Sequence, residues 1–132
     1  MIAADTSTWI VYLQGGEGED ARLLDKALED RQVVMAPVVL TELLSDPQLA
    51  SNVAKTLSEI PLIAIESGFW HRAGMLRAKV LAKRPPRRAR LGDALIAQCC
   101  IDRGVPLLTR DHDFKAFTQA ADLELVLGFR TE

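Results

Sequence analysis

The chain has 132 residues, of which 48% are hydrophobic and 26% are charged, and its net charge is −2 with a pI near 5.7. This predicts one ordinary globular domain with its own core, and it argues against nucleic-acid binding through overall charge, although not against a local basic strip. No run is long and apolar enough to cross a membrane, and the first residues lack the cationic start of a signal peptide. The adjacent Cys99 and Cys100 cannot bridge each other on a helix, so they predict buried thiols in a reducing compartment, the cytoplasm.

Short apolar segments alternate with helical patterns along the chain. The segments that predict buried strands are residues 1–4, 33–36, 62–65, 105–108 and 123–127. The helical patterns cover about residues 7–13, 19–30, 37–45, 47–58, 67–84, 93–103 and 114–121. This alternation predicts a single α/β domain over residues 1–132, a three-layer α/β/α sandwich around a mostly parallel, roughly five-stranded sheet.

Acidic residues fall at the carboxyl ends of the predicted strands or near them. Asp5 follows the first strand and Asp111 follows the fourth, so both belong to the edge where α/β sheets bind ligands. Asp93 opens a long apolar helix, which leads into the fourth strand. Glu42 lies between apolar neighbours in the helix after the second strand, which predicts a partly buried carboxylate. Asp113 is a fifth candidate, two residues beyond Asp111.

Each of these acids also has an ordinary structural interpretation. Asp5 and Asp93 suit helix caps or first-turn acids, Glu42 suits a helix surface, and Asp111 or Asp113 suits the cap of the last helix. Several carboxylates on one edge, however, repel one another and resist ionisation, and a divalent cation removes that conflict. Ligands that are all oxygen favour Mg²⁺ or Mn²⁺ over zinc.

Four stretches of the chain resemble the motifs of PIN-domain ribonucleases, specifically the VapC-type toxins of bacterial toxin–antitoxin pairs. The stretches are Asp5–Ser7, Thr41–Leu44, Gly92–Ala97 and Leu108–Phe114. They occur in the order and at the separations typical of that family. The resemblance covers the chain from Met1 to about Leu127.

The resemblance implies an endoribonuclease that depends on Mg²⁺, with Mn²⁺ as a substitute, and that leaves 5′-phosphate and 3′-hydroxyl ends. It implies an acidic quartet at Asp5, Glu42, Asp93 and Asp111, with Asp113 as the alternative fourth ligand. Asp5 and Asp93 would hold the cation, and Glu42 and Asp111 would orient water or hold a second cation. It further implies an RNA substrate, a homodimer and a cognate antitoxin whose basic tail enters the acidic pocket.

Two hydroxyls and a basic loop flank the acids. Ser7 and Thr109 suit hydrogen bonds to the carboxylates, or else simple caps and turns. Arg87, Arg88 and Arg90 lie in the proline-containing loop before Asp93. We expect them either to bind the RNA backbone or to form a solvated loop.

Three other functions are compatible with part of this pattern. A Mg²⁺-dependent phosphatase would use Asp5 as an aspartyl nucleophile, but Ser7 stands where such enzymes carry a second aspartate. An inert PIN-like binding module predicts lost acidic residues, and none is lost. A receiver-type signalling domain needs a lysine at the end of the last strand, where Gly128 follows Leu127.

Overall fold

A computed structural model describes residues 1–127 of the chain. In this part, strands β1 (Ala3–Ala4) and β2 (Leu107–Leu108) form a parallel pair at the centre of the sheet. Single parallel bridges extend the sheet on both sides, and they join Ile2 to Val33, Met35 to Leu62 and Leu107 to Leu125. All five predicted strand segments therefore lie side by side, but only two form a regular ladder.

The prolines next to these segments explain why the ladders are short. Pro37 follows the second segment closely, and Pro61 and Pro106 directly precede Leu62 and Leu107. A proline accepts through its carbonyl but has no N–H to donate, so pairing cannot continue through it. Pro61 and Pro106 do accept from Met35 and Ala3 across the sheet.

Seven α-helices alternate with these segments within residues 1–127. They are α1 (Thr6–Leu13), α2 (Glu19–Glu29), α3 (Pro37–Leu44), α4 (Ser51–Ser58), α5 (Phe69–Leu81), α6 (Leu91–Arg103) and α7 (Lys115–Ala120), and a 3₁₀ turn at His112–Phe114 precedes α7. Helix α4 begins four residues later than predicted, because Asp46 accepts from the Gln48 N–H and closes a turn there. Gly104 ends α6 in the left-handed conformation, as its position predicted.

The core lies between the sheet and the helices. Ala3, Ala4, Leu107 and Leu108 are all fully buried, so both faces of the central strands are covered, as the α/β/α layering predicted. Helix α5 packs against α6 and α7, and α1 packs against α2 and α3. Both cysteines are buried in α6. No helix within residues 1–127 is long and apolar enough to cross a bilayer.

Candidate active site

Asp5 lies directly after β1 and is only 3% exposed. The Thr8 N–H donates to its Oδ1 at 3.1 Å, and the hydroxyls of Ser7 and Thr109 donate to its Oδ2 at 2.7 and 2.8 Å. Burial raises the pKa of Asp5, and these hydrogen bonds oppose the rise. Asp5 is therefore the N-cap of α1, the structural role considered from the sequence, and it is also fixed at the carboxyl edge of the sheet.

Thr109 connects Asp5 to Asp111. Its hydroxyl donates to Asp5 and accepts from the Asp111 N–H at 3.0 Å. Asp111 Oδ1 in turn accepts from the Asp113 N–H at 2.9 Å and caps the 3₁₀ turn. Asp113 approaches Arg88, at 4.0 Å between Oδ2 and Nη1. Of the two candidates for the fourth acid, Asp111 is the one coupled to Asp5.

Asp93 is the third residue of α6, and the N-cap of that helix is Arg90. Its Oδ2 atom is buried and has no hydrogen-bond partner among the described residues, so this side chain is not simply a cap. Burial and the charges of Asp111, Asp5 and Glu42 raise the pKa of Asp93 to about 6, while Arg90 lowers it. The charges of the three other acids therefore act on Asp93, and a proton or a cation on Asp93 relieves that repulsion.

Glu42 is exposed, so the prediction of a partly buried carboxylate was wrong. Its Oε1 accepts from the Thr6 hydroxyl at 2.9 Å, next to Asp5 in sequence. A methyl group on Gly92 would lie 3.5 Å from the same oxygen, which places Glu42 against the first turn of α6. Glu42 thus forms the solvent side of the cluster that includes Asp93.

The chemistry of these side chains fits a hard divalent cation. All four are carboxylates, and the buried Asp93 oxygen without a partner is the atom that most needs a cation or a proton. No three acidic, cysteine or histidine side chains within residues 1–127 are close enough together to hold an ion as they stand. Binding therefore requires carboxylates such as those of Glu42 and Asp111 to turn towards Asp93.

An ion pair between the buried Asp20 and the exposed Arg110, which the sequence did not predict, supports the site. Arg110 Nε and Nη2 donate to both oxygens of Asp20 at 2.9 and 2.8 Å, and the Thr8 hydroxyl donates to Asp20 Oδ2 at 2.9 Å. Thr8 directly follows Ser7, and Arg110 directly follows Thr109, the two residues whose hydroxyls donate to Asp5. Through its bonds to Thr8 and Arg110, Asp20 therefore connects α2 to both segments that hold Asp5. A Cβ at Gly18 would come within 2.6 Å of both partners, so only glycine fits there.

The three arginines of the basic loop lie in two different surroundings. Arg87, Arg88 and Arg90 are all exposed. Of the three, Arg90 is the one whose charge acts on Asp93, because it lowers the pKa of that carboxyl. Arg87 and Arg88 lie beside the 3₁₀ turn and the start of α7.

A model of the PIN domain matches residues 2–119 of the chain. The chain belongs to the PIN-domain family. Ribonuclease VapC11 of Mycobacterium tuberculosis is 28% identical to it over 134 residues, which cover 94% of this chain and 96% of that protein. VapC ribonuclease Mb1587 of Mycobacterium bovis matches it to the same extent.

Solved structures of related complexes share the fold. VapBC2 of Rickettsia felis, bound to a DNA fragment from its promoter, matches with a TM-score of 0.69 and 22% identity over 95% of this chain and 97% of that chain. VapBC-5 of Mycobacterium tuberculosis matches with a TM-score of 0.65 and 24% identity over 95% and 96%. These structures confirm the PIN-like fold, and the two VapC ribonucleases confirm the resemblance to VapC-type proteins that the motifs indicated.

Replacing Asp20 with alanine is expected to lower the free energy of unfolding by about 2 kcal/mol at pH 7, because it removes the ion-pair partner of Arg110. The effect should be larger than that of a surface pair because the Asp20 side chain is only 5% exposed, and smaller than that of a fully buried pair because the Arg110 side chain is 38% exposed. Arg110 holds the pKa of Asp20 below its ordinary value of 3.8. The stabilisation is therefore complete above about pH 4 and is lost as the pH falls through the lower, folded-state pKa.

Urea unfolding of Asp20→Ala and of the neighbouring exposed Glu19→Ala, at pH 7 and at pH 3, measures this effect. The gap between the two variants should be present at pH 7 and should narrow at pH 3. Equal stability of the two variants at pH 7 would contradict a stabilising role for the ion pair.

Proposed function

We propose that this PIN-domain protein is a metal-dependent endoribonuclease that hydrolyses RNA phosphodiester bonds as the toxin of a type II toxin–antitoxin system. The observation that carries the proposal is the buried, unpartnered Asp93 oxygen, whose carboxyl has its pKa raised to about 6 by burial and by three other acids. Relatives that are named ribonucleases and cover nearly the whole chain support the same activity.

Asp5 and Asp93 would hold the cation, Mg²⁺ with Mn²⁺ as a substitute, and Glu42 and Asp111 would orient water or hold a second ion. When bound, such an ion neutralises charge on the reacting phosphate and lowers the pKa of its water. The hydroxyls of Ser7 and Thr109 fix the Asp5 carboxylate, because both donate to its Oδ2. The exposed Glu42 is the acid most open to water and substrate.

The residue at position 7 argues against the aspartyl phosphatase. Such enzymes carry a second aspartate there, whereas this chain has Ser7, whose hydroxyl donates to Asp5 Oδ2. An inert binding module has no use for a carboxylate such as Asp93, whose buried Oδ2 has no hydrogen-bond partner within residues 1–127 and therefore costs free energy. The nuclease is the function that uses all four acids.

The partners follow from the same surfaces. RNA is the proposed substrate, and the exposed Arg87, Arg88 and Arg90 are proposed to bind its backbone. An antitoxin is proposed because solved relatives are VapBC toxin–antitoxin complexes, and a basic segment of such a partner would complement the acidic cluster. We place the activity in the cytoplasm, where RNA is available and the two buried thiols of α6 stay reduced.

We propose that the protein forms a homodimer through an exposed apolar patch on α5 and the residues around it. Trp70 is 69% exposed and Ile65 is 42% exposed, beside the half-buried Val38 and Leu95. Together with Phe69 they border a shallow apolar pocket. A contiguous apolar patch with a protruding tryptophan is typical of a protein interface, and a second copy is the occupant that the family resemblance implies.

Asp93→Asn is expected to reduce RNA cleavage in Mg²⁺ or Mn²⁺ by at least about 100-fold, because an amide cannot replace a charged ligand. The melting temperature in EDTA should not fall, because the substitution removes a repelled carboxylate. Gel assays on total RNA, with mapping of the cut ends, measure the loss.

The exposed Asp122→Asn is the matched control and should cleave like the wild type, and EDTA should stop the wild type. Undiminished cleavage by Asp93→Asn would overturn the proposed role of the acids.

Trp70→Glu is expected to weaken dimer formation by at least about 30-fold, because association would bury an unpaired carboxylate. Light scattering coupled to size exclusion, over a dilution series, measures the molar mass. Met75→Glu, another exposed apolar position of α5, is the control. A wild type that is monomeric throughout, or a Trp70→Glu variant as dimeric as the control, would rule out this interface.

A further inference from the structure

A basic pocket of about 310 Å³ lies between the loop before α6 and the start of α7. Its polar lining consists of Arg87, Arg88, His112, Asp113, Lys115 and Gln119. Its volume is at the lower end of the range of about 300–1,000 Å³ that small-molecule sites occupy. The pocket is therefore large enough for a phosphate with its sugar.

The charges of this pocket are unbalanced in favour of an anion. Three permanent cations face one carboxylate, and the one ion pair among them within residues 1–127 is the 4.0 Å contact of Arg88 with Asp113. Arg87 and Lys115 make no ion pair within the described residues. Gln119 Oε1 accepts from Lys83 Nζ at 3.3 Å, which leaves the Gln119 amide nitrogen to donate.

The pocket adjoins the acidic cluster along two stretches of chain. His112 and Asp113 line it and directly follow Asp111. Arg87 and Arg88 line it, while Arg90, two residues later, acts on Asp93. The pocket and the acids are therefore carried by the same two segments of chain.

The lining is suited to a phosphate and not to a base. No phenylalanine, tyrosine or tryptophan among residues 1–127 lines the pocket, because Phe114 and Phe117 point into the core and are fully buried. Base recognition in single strands relies mainly on stacking, whereas guanidinium, ammonium and amide donors bind phosphate oxygens. Such a pocket contributes affinity without sequence preference.

We infer that this pocket is a subsite for an RNA phosphate next to the one that is cleaved, and that Lys115 and Gln119 bind it together with Arg87 and Arg88. The inference rests on the proposed ribonuclease function. It adds α7 to the RNA-binding surface, which the sequence had limited to the arginines of the loop.

Lys115→Gln tests the subsite, with Lys55→Gln on the exposed surface of α4 as the matched control. Both are made in the Asp93→Asn background, so that labelled RNA is not cut, and fluorescence anisotropy is followed over a salt series. Lys115→Gln should weaken binding of oligo(U) and oligo(A) alike, by about fivefold to tenfold, and should reduce the salt slope by about 0.7. Lys115→Arg should restore both.

With Asp93 intact, Lys115→Gln should raise KM by a similar factor and leave kcat unchanged, while its melting temperature matches that of the control. An affinity and salt slope equal to those of Lys55→Gln, or a loss restricted to one of the two sequences, would overturn the subsite. If either result overturns the subsite while Asp93→Asn is inactive in RNA cleavage, the ribonuclease function stands without the subsite. Failure of the Asp93→Asn parent to bind any RNA overturns the subsite as well.

Discussion

Repulsion of Asp93 by three other carboxylates is the constraint on which this structure depends. Asp5 and Asp111 lie at the carboxyl edge of a small parallel sheet, and their charges and that of the exposed Glu42 act on Asp93 in the first turn of α6. Asp93 bears most of the cost, because its buried Oδ2 has no hydrogen-bond partner in the described part of the chain and its pKa is raised to about 6. A fold retains such an arrangement when a ligand uses it, and a divalent cation is the ligand that all-carboxylate chemistry favours.

The surrounding residues hold this unfavourable arrangement in place. One hydroxyl, that of Thr109, connects Asp5 to the backbone of Asp111. Behind it, the Asp20–Arg110 pair joins α2 to the segment that follows β2 and to the first turn of α1, through Thr8. Asp5 therefore cannot turn away from its neighbours without breaking several buried hydrogen bonds. The rigid side of the site is Asp5, and the adaptable side is the exposed Glu42.

The sequence predicted much of this because strand ends and helix starts are local features. Asp5 and Asp111 follow apolar strand segments, and the carboxyl edge of a parallel sheet brings such positions together. The burial of Glu42 was predicted wrongly, because Leu43 and Leu44 adjoin it in sequence but lie on other sides of the helix. The Asp20–Arg110 pair spans 90 residues, and nothing local marks either side chain as the partner of the other. The strand ladders are shorter than predicted because prolines next to the strand segments cannot donate to a neighbouring strand. Which strands neighbour each other is known only once the sheet has formed.

The most direct test of cation binding at these acids is the melting temperature of the wild type and of Asp93→Asn with increasing Mn²⁺ or Mg²⁺ at neutral pH. A cation that binds the folded acids should stabilise the wild type by about 2.7 kcal/mol at 100 times its dissociation constant. The melting temperature of the wild type and of the Asp122→Asn control should rise, and that of Asp93→Asn should not. An equal rise in all three proteins, or no rise in the wild type, would contradict cation binding at these acids.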